Sequence, residues 1–292
     1  MDVVIIYNGL GNQMSQYAFY LQKKNIDKTT RFITLCDTHN GLELDKVFNI
    51  SCRETIAQKF LYVMFRLLRF QKAKIITSPV KFILGLFNCR VVEENFNYSF
   101  NKNNLLPSKG ITFYLGGWHS EKYFLAVKEQ IFATFKFNEP ADPENMAHIK
   151  NIKSQNSVSI HVRRGDYLDT GNYNLFGGVC TENYYQAAID LIETKVNNPR
   201  FFVFSNDTPW VKANLHISNV VYVTGNAGNN SWKDLYLMTL CKHHIIANSS
   251  FSWWGAWLNN NPGKIVITPG RFLMNDENTD VYPESWTKLS DY

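Results

Sequence analysis

His161, Arg163, Arg164 and Asp166 fall within six residues of one another in the segment SVSIHVRRGDY, which runs from Ser157 to Tyr167. Two guanidiniums offer planar forks of donors that match the geometry of phosphate. A carboxylate three residues after the first arginine can orient that fork or accept a proton. The set suits an anionic ligand, although a plain surface ion pair of Arg163 with Asp166 reads from the same residues. Two more apolar runs end in hydrogen-bonding side chains. RFFVFSND closes on Ser205, Asn206 and Asp207, and HIIANSSF closes on Ser249, Ser250 and Phe251. Near the N-terminus, VVIIYNGLGNQ leads into Gly9, Gly11, Asn12 and Gln13. The glycines permit a tight turn with close backbone approach, and side-chain amides at a helix start can bond sugar or phosphate oxygens. This is not a dinucleotide fingerprint, because Met14 replaces its third glycine.

The elements that must carry these residues follow from the pattern around them. Val158, Ile160 and Val162 alternate as in a buried strand that ends where the charges begin. After it come a helix over Thr181–Val196 with a capping threonine, a strand over Arg200–Asp207 and a short helix over Pro209–Leu215. The strand VVYVTG, the helix SWKDLYLMTLCKH, the strand HIIANSS, the helix FSWWGAWLNN and the strand KIVITP complete the series. Strands and helices alternating at this spacing predict βαβ units on a parallel sheet, with ligands bound at the carboxyl ends of the strands. HVRRGD, FSND and NSS are then expected to line one crevice. Trp253, Trp254 and Trp257 read as the core face of their helix.

The N-terminal half repeats the theme with the strands MDVVIIY, FITLC and ITFYLGG. LELDKVFNI reads as a helical anchor with no chemistry of its own. Trp118, His119, Ser120 and Glu121 follow a glycine pair, which suits either a sugar-binding rim or a cover over the core. Phe135–Asn145, with two prolines and several acids, is the best linker, and divides the chain into domains over residues 1–140 and 141–292.

A chain of 292 residues with 45% hydrophobic and 15% aromatic residues can bury a substantial core, and its net charge of +5 is too small and scattered to argue for nucleic acid. Five widely spaced cysteines without a CxxC pair read as reduced thiols, with neither a disulfide framework nor a zinc site. The N-terminus enters a strand at once, with no signal or spanning segment, so the chain is expected to be soluble, cytoplasmic and bacterial. Residues 57–90 contain seven lysines and arginines and no acid, interleaved with Leu, Phe, Tyr and Met. That stretch fits a helical face packed on the sheet with a solvated cationic side, or peripheral contact with an anionic membrane.

NGLGNQMSQYA, HVRRGDY, FSND and NSSFSWWGAWL, in this order and spacing, resemble the α-1,2-fucosyltransferases of glycosyltransferase family 11 over nearly the whole chain. The resemblance implies a GT-B fold, an α/β arrangement in which two Rossmann-like domains face each other across a cleft. The N-terminal domain would serve the acceptor and the C-terminal domain GDP-fucose. It also implies transfer of L-fucose with inversion from GDP-β-L-fucose to the 2-hydroxyl of a terminal β-galactoside, with no metal and no other cofactor. The absence of a DxD carboxylate pair agrees with that expectation.

By the same resemblance Arg163 is expected on the β-phosphate, stabilising charge as GDP leaves. His161 is expected near the nucleotide, or else as a satisfied core histidine. Arg164 points to the other side of the strand and is expected to be structural. Ser205, Asn206 and Asp207 are expected at the guanine, although the family more often has an acid where this chain has Asn206. Ser249, Ser250 and Phe251 would cradle the diphosphate at a helix N-terminus. Gly9, Gly11, Asn12 and Gln13 complete the donor site, with Asn12 reaching the fucose or pyrophosphate. Asn8 and Ser15 depart from the commoner Gly and Phe of the motif. The attacking hydroxyl calls for a base, for which Asp166 is the candidate beside a reaction that uses no strong base. Residues 57–90 and 114–124 and the loop GNYNLFGG are expected to shape the acceptor pocket. An α-1,6- or protein O-fucosyltransferase, or a non-catalytic GDP-sugar or glycan-binding module, are the competing functions.

Overall fold

The computed structural model describes residues 1–52, 55–72, 85–275 and 279–290. They form two compact units, Met1–Lys136 and Phe137–Tyr292. Each is built on a parallel sheet, and both are Rossmann-like α/β layers, the construction expected of a GT-B chain.

In the first unit β1 (Asp2–Tyr7), β2 (Arg31–Leu35), β3 (Arg90–Glu93) and β4 (Thr112–Leu115) are ordered β2-β1-β4-β3. Val3, Val4, Ile5 and Ile6 are wholly buried, as a strand covered on both faces requires. The helix Leu10–Ile26 returns the chain from β1. On the helix Ile56–Lys72, Leu61, Met64, Phe65 and Leu68 pack on Val3, Ile5 and Phe113. That is the helical face of the basic stretch packed on the sheet, while residues 73–84 of the stretch lie outside the described residues. Trp118 is fully buried and stacked on Phe19 with ring centroids 4.2 Å apart, which makes it a core cover rather than a sugar-binding rim.

In the second unit β5 (Asn156–Val162), β6 (Pro199–Ser205), β7 (Val220–Val223), β8 (His243–Ile245), β9 (Val266–Pro269) and β10 (Thr287–Leu289) are ordered β10-β9-β8-β5-β6-β7. One face of β5 presents Val158, Ile160 and Val162 to Tyr184, Tyr185, Ile189 and Ile192 of the helix Glu182–Lys195. Its other face buries Ser157, Ser159 and His161. Ser159 Oγ meets His244 Nδ1 of β8 at 2.8 Å, whereas His161 Nδ1 is buried and takes no hydrogen bond among the described residues. Trp253, Trp254 and Trp257 are the buried face of the helix Ser250–Trp257, and the Trp253 indole donates to Val281 O at 2.8 Å. Among the described residues no helix is long and apolar enough to cross a membrane.

Candidate active site

Because β8, β5 and β6 are neighbours and parallel, their carboxyl ends put NSS, HVRRGD and SND side by side on one edge of the second sheet. Arg163 leaves β5 one residue after its end. Its Nη2 lies 2.9 and 2.8 Å from the two oxygens of Asp166, and its Cζ lies 5.7 Å from the Tyr167 ring centroid. Among the described residues Nε and Nη1 of this guanidinium have no hydrogen-bond partner, and the side chain keeps 32% of its exposure. The ion pair foreseen as the bland alternative therefore exists, but it uses one nitrogen and leaves the rest of the fork for a ligand.

Arg164 turns the other way, as strand alternation requires. Its Nε donates to Asp207 Oδ2 at 3.3 Å and its Cζ stacks 3.9 Å from the Trp210 ring centroid. Asp207 Oδ1 accepts from Trp210 N at 3.2 Å and so caps the helix Thr208–Asn214. Both carboxylate oxygens are engaged within the protein. These bonds orient Arg164 and start a helix, and they leave lone pairs on a carboxylate whose side chain is 31% exposed. Ser205 Oγ accepts from Asp207 N at 2.9 Å, and Asn206 Oδ1 accepts from Arg164 N at 3.0 Å. A Cβ on Gly165 would overlap the Asn206 amide, so the glycine is what lets the two loops close. Asn206 thus works as a loop clasp where the family more often places an acid.

His161 is 6% exposed, and its ring centroid lies 5.8 Å from that of Phe251. Burial, and secondarily the Arg163 charge, push its pKa down to about 3, so it is neutral at pH 7. Ser249 Oγ accepts from Phe251 N at 3.3 Å and caps the helix Ser250–Trp257, whose first turn carries no acid. The N-terminal end of that dipole stays electropositive beside Arg163 on the same sheet edge. Tyr167 of HVRRGDY and Asn248 of NSS, given no role of their own from sequence, hold this edge together. Tyr167 Oη donates to Asn248 O at 3.0 Å. The wholly buried Asn248 donates through Nδ2 to Phe176 O at 3.2 Å and Phe272 O at 3.0 Å.

The glycine turn of the first unit departs from expectation. The helix begins at Leu10, with Gly9 as its N-cap at φ −76°, and the left-handed residue of the turn is Asn8 at φ 64°. Asparagine is one of the few side chains that tolerate this conformation, which explains how it stands where glycine is commoner. Gly9 and Gly11 therefore do not supply the turn's special backbone. The helix N-terminus is also taken: the Glu43 carboxylate accepts from Leu10 N. Gln13 donates to Asn8 O at 2.7 Å and Gly41 O at 2.8 Å and accepts from Glu43 N at 2.9 Å. Gln13, expected in the donor site, is spent inside the unit, where it fastens the segment Asn40–Glu43 onto the helix. Asn12 stands in the first helical turn, its amide donating to Gly9 O at 3.0 Å. Gln16 joins the ends of β1 and β4 by accepting from Tyr7 N at 2.9 Å and donating to Gly116 O at 3.0 Å.

Glu94, which no motif marked, lies at the end of β3 and accepts from Gly117 N at 2.7 Å and Trp118 N at 2.8 Å. The only sequence cue was the acid pair Glu93-Glu94 after Val91-Val92, which does not distinguish one glutamate from the other. Among the described residues no three His, Cys, Asp or Glu side chains gather as a metal site.

Residues 91–290 match the Glycosyl transferase family 11 profile. The chain is 34% identical over 301 aligned positions to an alpha-1,2-colitosyltransferase of Escherichia coli, covering 99% of each. It is 30% identical to the O-antigen biosynthesis glycosyltransferase WbnK of Escherichia coli, covering 96% of this chain and 98% of the other. Over a shorter stretch, 47% of this chain and 40% of the other, it is 29% identical to galactoside alpha-(1,2)-fucosyltransferase 1 of Saimiri boliviensis boliviensis. The charged strand end, the capped helix beside it and a match of this extent agree: the chain belongs to glycosyl transferase family 11.

Proposed function

We propose that this chain transfers L-fucose from GDP-β-L-fucose to the 2-hydroxyl of a terminal β-galactoside, with inversion at the transferred carbon and without a metal ion. The observation that carries the reading is the half-used guanidinium of Arg163, oriented by Asp166 at the end of β5 and flanked by the acid-free helix start at Ser250. In the proposed reaction, departure of GDP leaves negative charge on the β-phosphate. The open Arg163 donors and the helix dipole would meet that charge as it develops, the work a divalent cation does in other transferases. Ser249 and Phe251 shape the helix start, whereas Asp207, Asn206 and Ser205 hold the loops that orient it. Inversion follows if the acceptor oxygen attacks on the face opposite the leaving diphosphate.

The 34% identical relative favours a second donor reading, in which a colitosyl group takes the place of fucosyl on the same site. Competition between GDP-fucose and GDP-colitose for one galactoside acceptor in EDTA separates the two. Preferred turnover of GDP-fucose supports the first reading, and a tenfold or larger preference for GDP-colitose replaces it with the second.

The helix Ile56–Lys72 exposes Ile56, Phe60, Val63 and Phe70 beside the exposed Lys59 and Arg66. An apolar stripe with cations at its border suits peripheral contact with an anionic lipid surface, where a membrane-held acceptor would be presented. Salt-sensitive sedimentation with phosphatidylglycerol vesicles but not phosphatidylcholine vesicles is the expected result. Equal recovery in both supernatants would remove this contact from the proposal.

A further inference from the structure

Arg163 and the helix start at Ser250 follow two neighbouring strands of the second unit, and the sheet alone does not fix the spacing between them. The ladder between β5 and β8 ends at Ile160 and Ile245. Past that pair, phenols take up carbonyls of the two strand ends. Tyr185 Oη donates to His161 O at 3.1 Å, and Tyr184 Oη donates to Ile246 O at 2.6 Å. Both tyrosines are wholly buried in the core, on the helix Glu182–Lys195. The third phenol belongs to the charged segment itself: Tyr167 Oη donates to Asn248 O at 3.0 Å, the last carbonyl before the cap residue Ser249.

Tyr167 is held so that this bond joins two things at once. Its ring stacks on Phe176, with centroids 5.2 Å apart and planes 25° apart, and the Arg163 Cζ lies 5.7 Å from its centroid. A Cβ on Gly177 would overlap the Tyr167 carbonyl, so that glycine lets the segment Tyr173–Gly177 lie against it. The Ser249 side chain hydrogen-bonds the same phenol, while Ser249 Oγ accepts from Phe251 N at 3.3 Å. One hydroxyl can do both, donating to the phenol and accepting from the amide. Asn248 is clasped from its other end, because its Nδ2 donates to Phe176 O and Phe272 O. Burial and the Asp166 charge raise the Tyr167 pKa, against the opposing Arg163 charge, so the phenol keeps its proton and remains a donor.

We propose that Tyr167 is a positioning residue for the donor diphosphate: its hydroxyl ties the Arg163 loop to the start of the helix Ser250–Trp257 and so sets the spacing of the two groups that meet the phosphate charge. This rests on the transferase reading above and lies wholly within the second unit. The hydroxyl acts through Arg163 and the helix start, not by touching the substrate. A guanidinium and a helix start favour one diphosphate together only if both are already in place; a loosened pair has to be ordered on binding, and affinity falls by that cost. Without the hydroxyl, the Asn248 carbonyl loses a donor and Ser249 loses a partner, both at the helix cap. The Arg163 loop keeps its other brace, in which Asn172 Nδ2 donates to Asp166 O at 3.0 Å. The loss therefore falls on the tie between the two groups.

The test is GDP binding to the full chain in EDTA, read by isothermal titration calorimetry, for the wild type, Tyr167→Phe, Arg163→Ala and the double variant. Phenylalanine keeps the ring on Phe176 and beside Arg163 and removes only the tie. Tyr167→Phe is expected to raise the Kd for GDP about tenfold, but less than about twofold once Arg163 is alanine, because the two residues act as one unit. GMP, which lacks the β-phosphate, is expected to bind the wild type and Tyr167→Phe within about twofold of each other. A merely structural tyrosine lowers the unfolding temperature yet leaves the GDP Kd within about twofold, or costs the same factor with and without Arg163. Either result overturns the assignment and leaves the transferase reading intact. Should Tyr167→Phe fail to fold, as judged by its thermal unfolding curve, Phe176→Leu takes its place in the cycle. It removes the ring behind Tyr167, and an absent or fully additive effect on GDP overturns the assignment in the same way. A wild type that binds no GDP overturns the transferase reading itself, and the role of Tyr167 falls with it.

Discussion

At the scale of single residues, the second unit separates two jobs that adjacent arginines are easily assumed to share. Arg163 gives one nitrogen to Asp166 and keeps its remaining donors, whereas Arg164 is spent between Asp207 and Trp210. Arg163→Ala is expected to lower kcat by about 10²–10³-fold, the usual loss when one preorganised donor to developing charge is removed. Arg163→Lys recovers little of it, because an ammonium lacks the planar fork. Asp166→Asn is expected to cost about tenfold, through loss of orientation, and to leave any acid limb of the pH profile in place. Rates and pH profiles of the three variants check this ordering. The opposite orientations of Arg163 and Arg164 were legible because strand alternation sends neighbouring side chains to opposite faces. The setting of Glu94 was not legible, because its partner amides lie more than twenty residues downstream.

At the scale of elements, strand ends and helix starts decide which groups remain available to a ligand. The periodicity of the second unit gave its strands and helices in order, since each apolar run there is bounded by turn residues. β3 was missed: four residues, partly exposed and directly after a basic apolar stretch, carry little pattern. That the amide of Leu10 is taken by Glu43 was not legible at the helix start, because Glu43 arrives from more than thirty residues away. Two substitutions test the element-level account through thermal or urea unfolding. Asn8→Gly is expected to be close to neutral, while Asn8→Ala costs about 1–2 kcal/mol for a methyl group in the left-handed region. Ser249→Ala is expected to cost about 1 kcal/mol by removing the cap of the helix Ser250–Trp257.

At the scale of the whole molecule, the division into Met1–Lys136 and Phe137–Tyr292 assigns separate polar edges to separate units. The first unit is braced by a buried ion pair, Lys23 Nζ to Asp2 Oδ2 at 2.6 Å, with both side chains almost without exposure. Lys23 Nζ also donates to Asn104 O at 3.0 Å, Leu106 O at 2.9 Å and Tyr114 Oη at 3.1 Å. Lys23→Met would strand the carboxylate and three acceptors together. It is expected to cost about 3–5 kcal/mol, seen as a lower urea midpoint for a probe in the first unit. Burial lowers the Lys23 pKa while Asp2 opposes the shift, so Asp2→Asn should weaken the same unit by releasing a buried cation. Nothing in the sequence paired Lys23 with Asp2: a lysine late in a helix reads as solvated until the fold brings the N-terminal strand against it.

The most direct test of the account is transfer by the intact chain from GDP-fucose to a panel of terminal β-galactosides in EDTA. The wild type and Arg163→Ala are compared, GDP release is followed with and without acceptor, and the product linkage is read by NMR. The account expects acceptor-dependent release, an α-1,2-linked product formed in the presence of the chelator, and loss of both in the variant. Release that requires a divalent metal, or that is unchanged in Arg163→Ala, would contradict it.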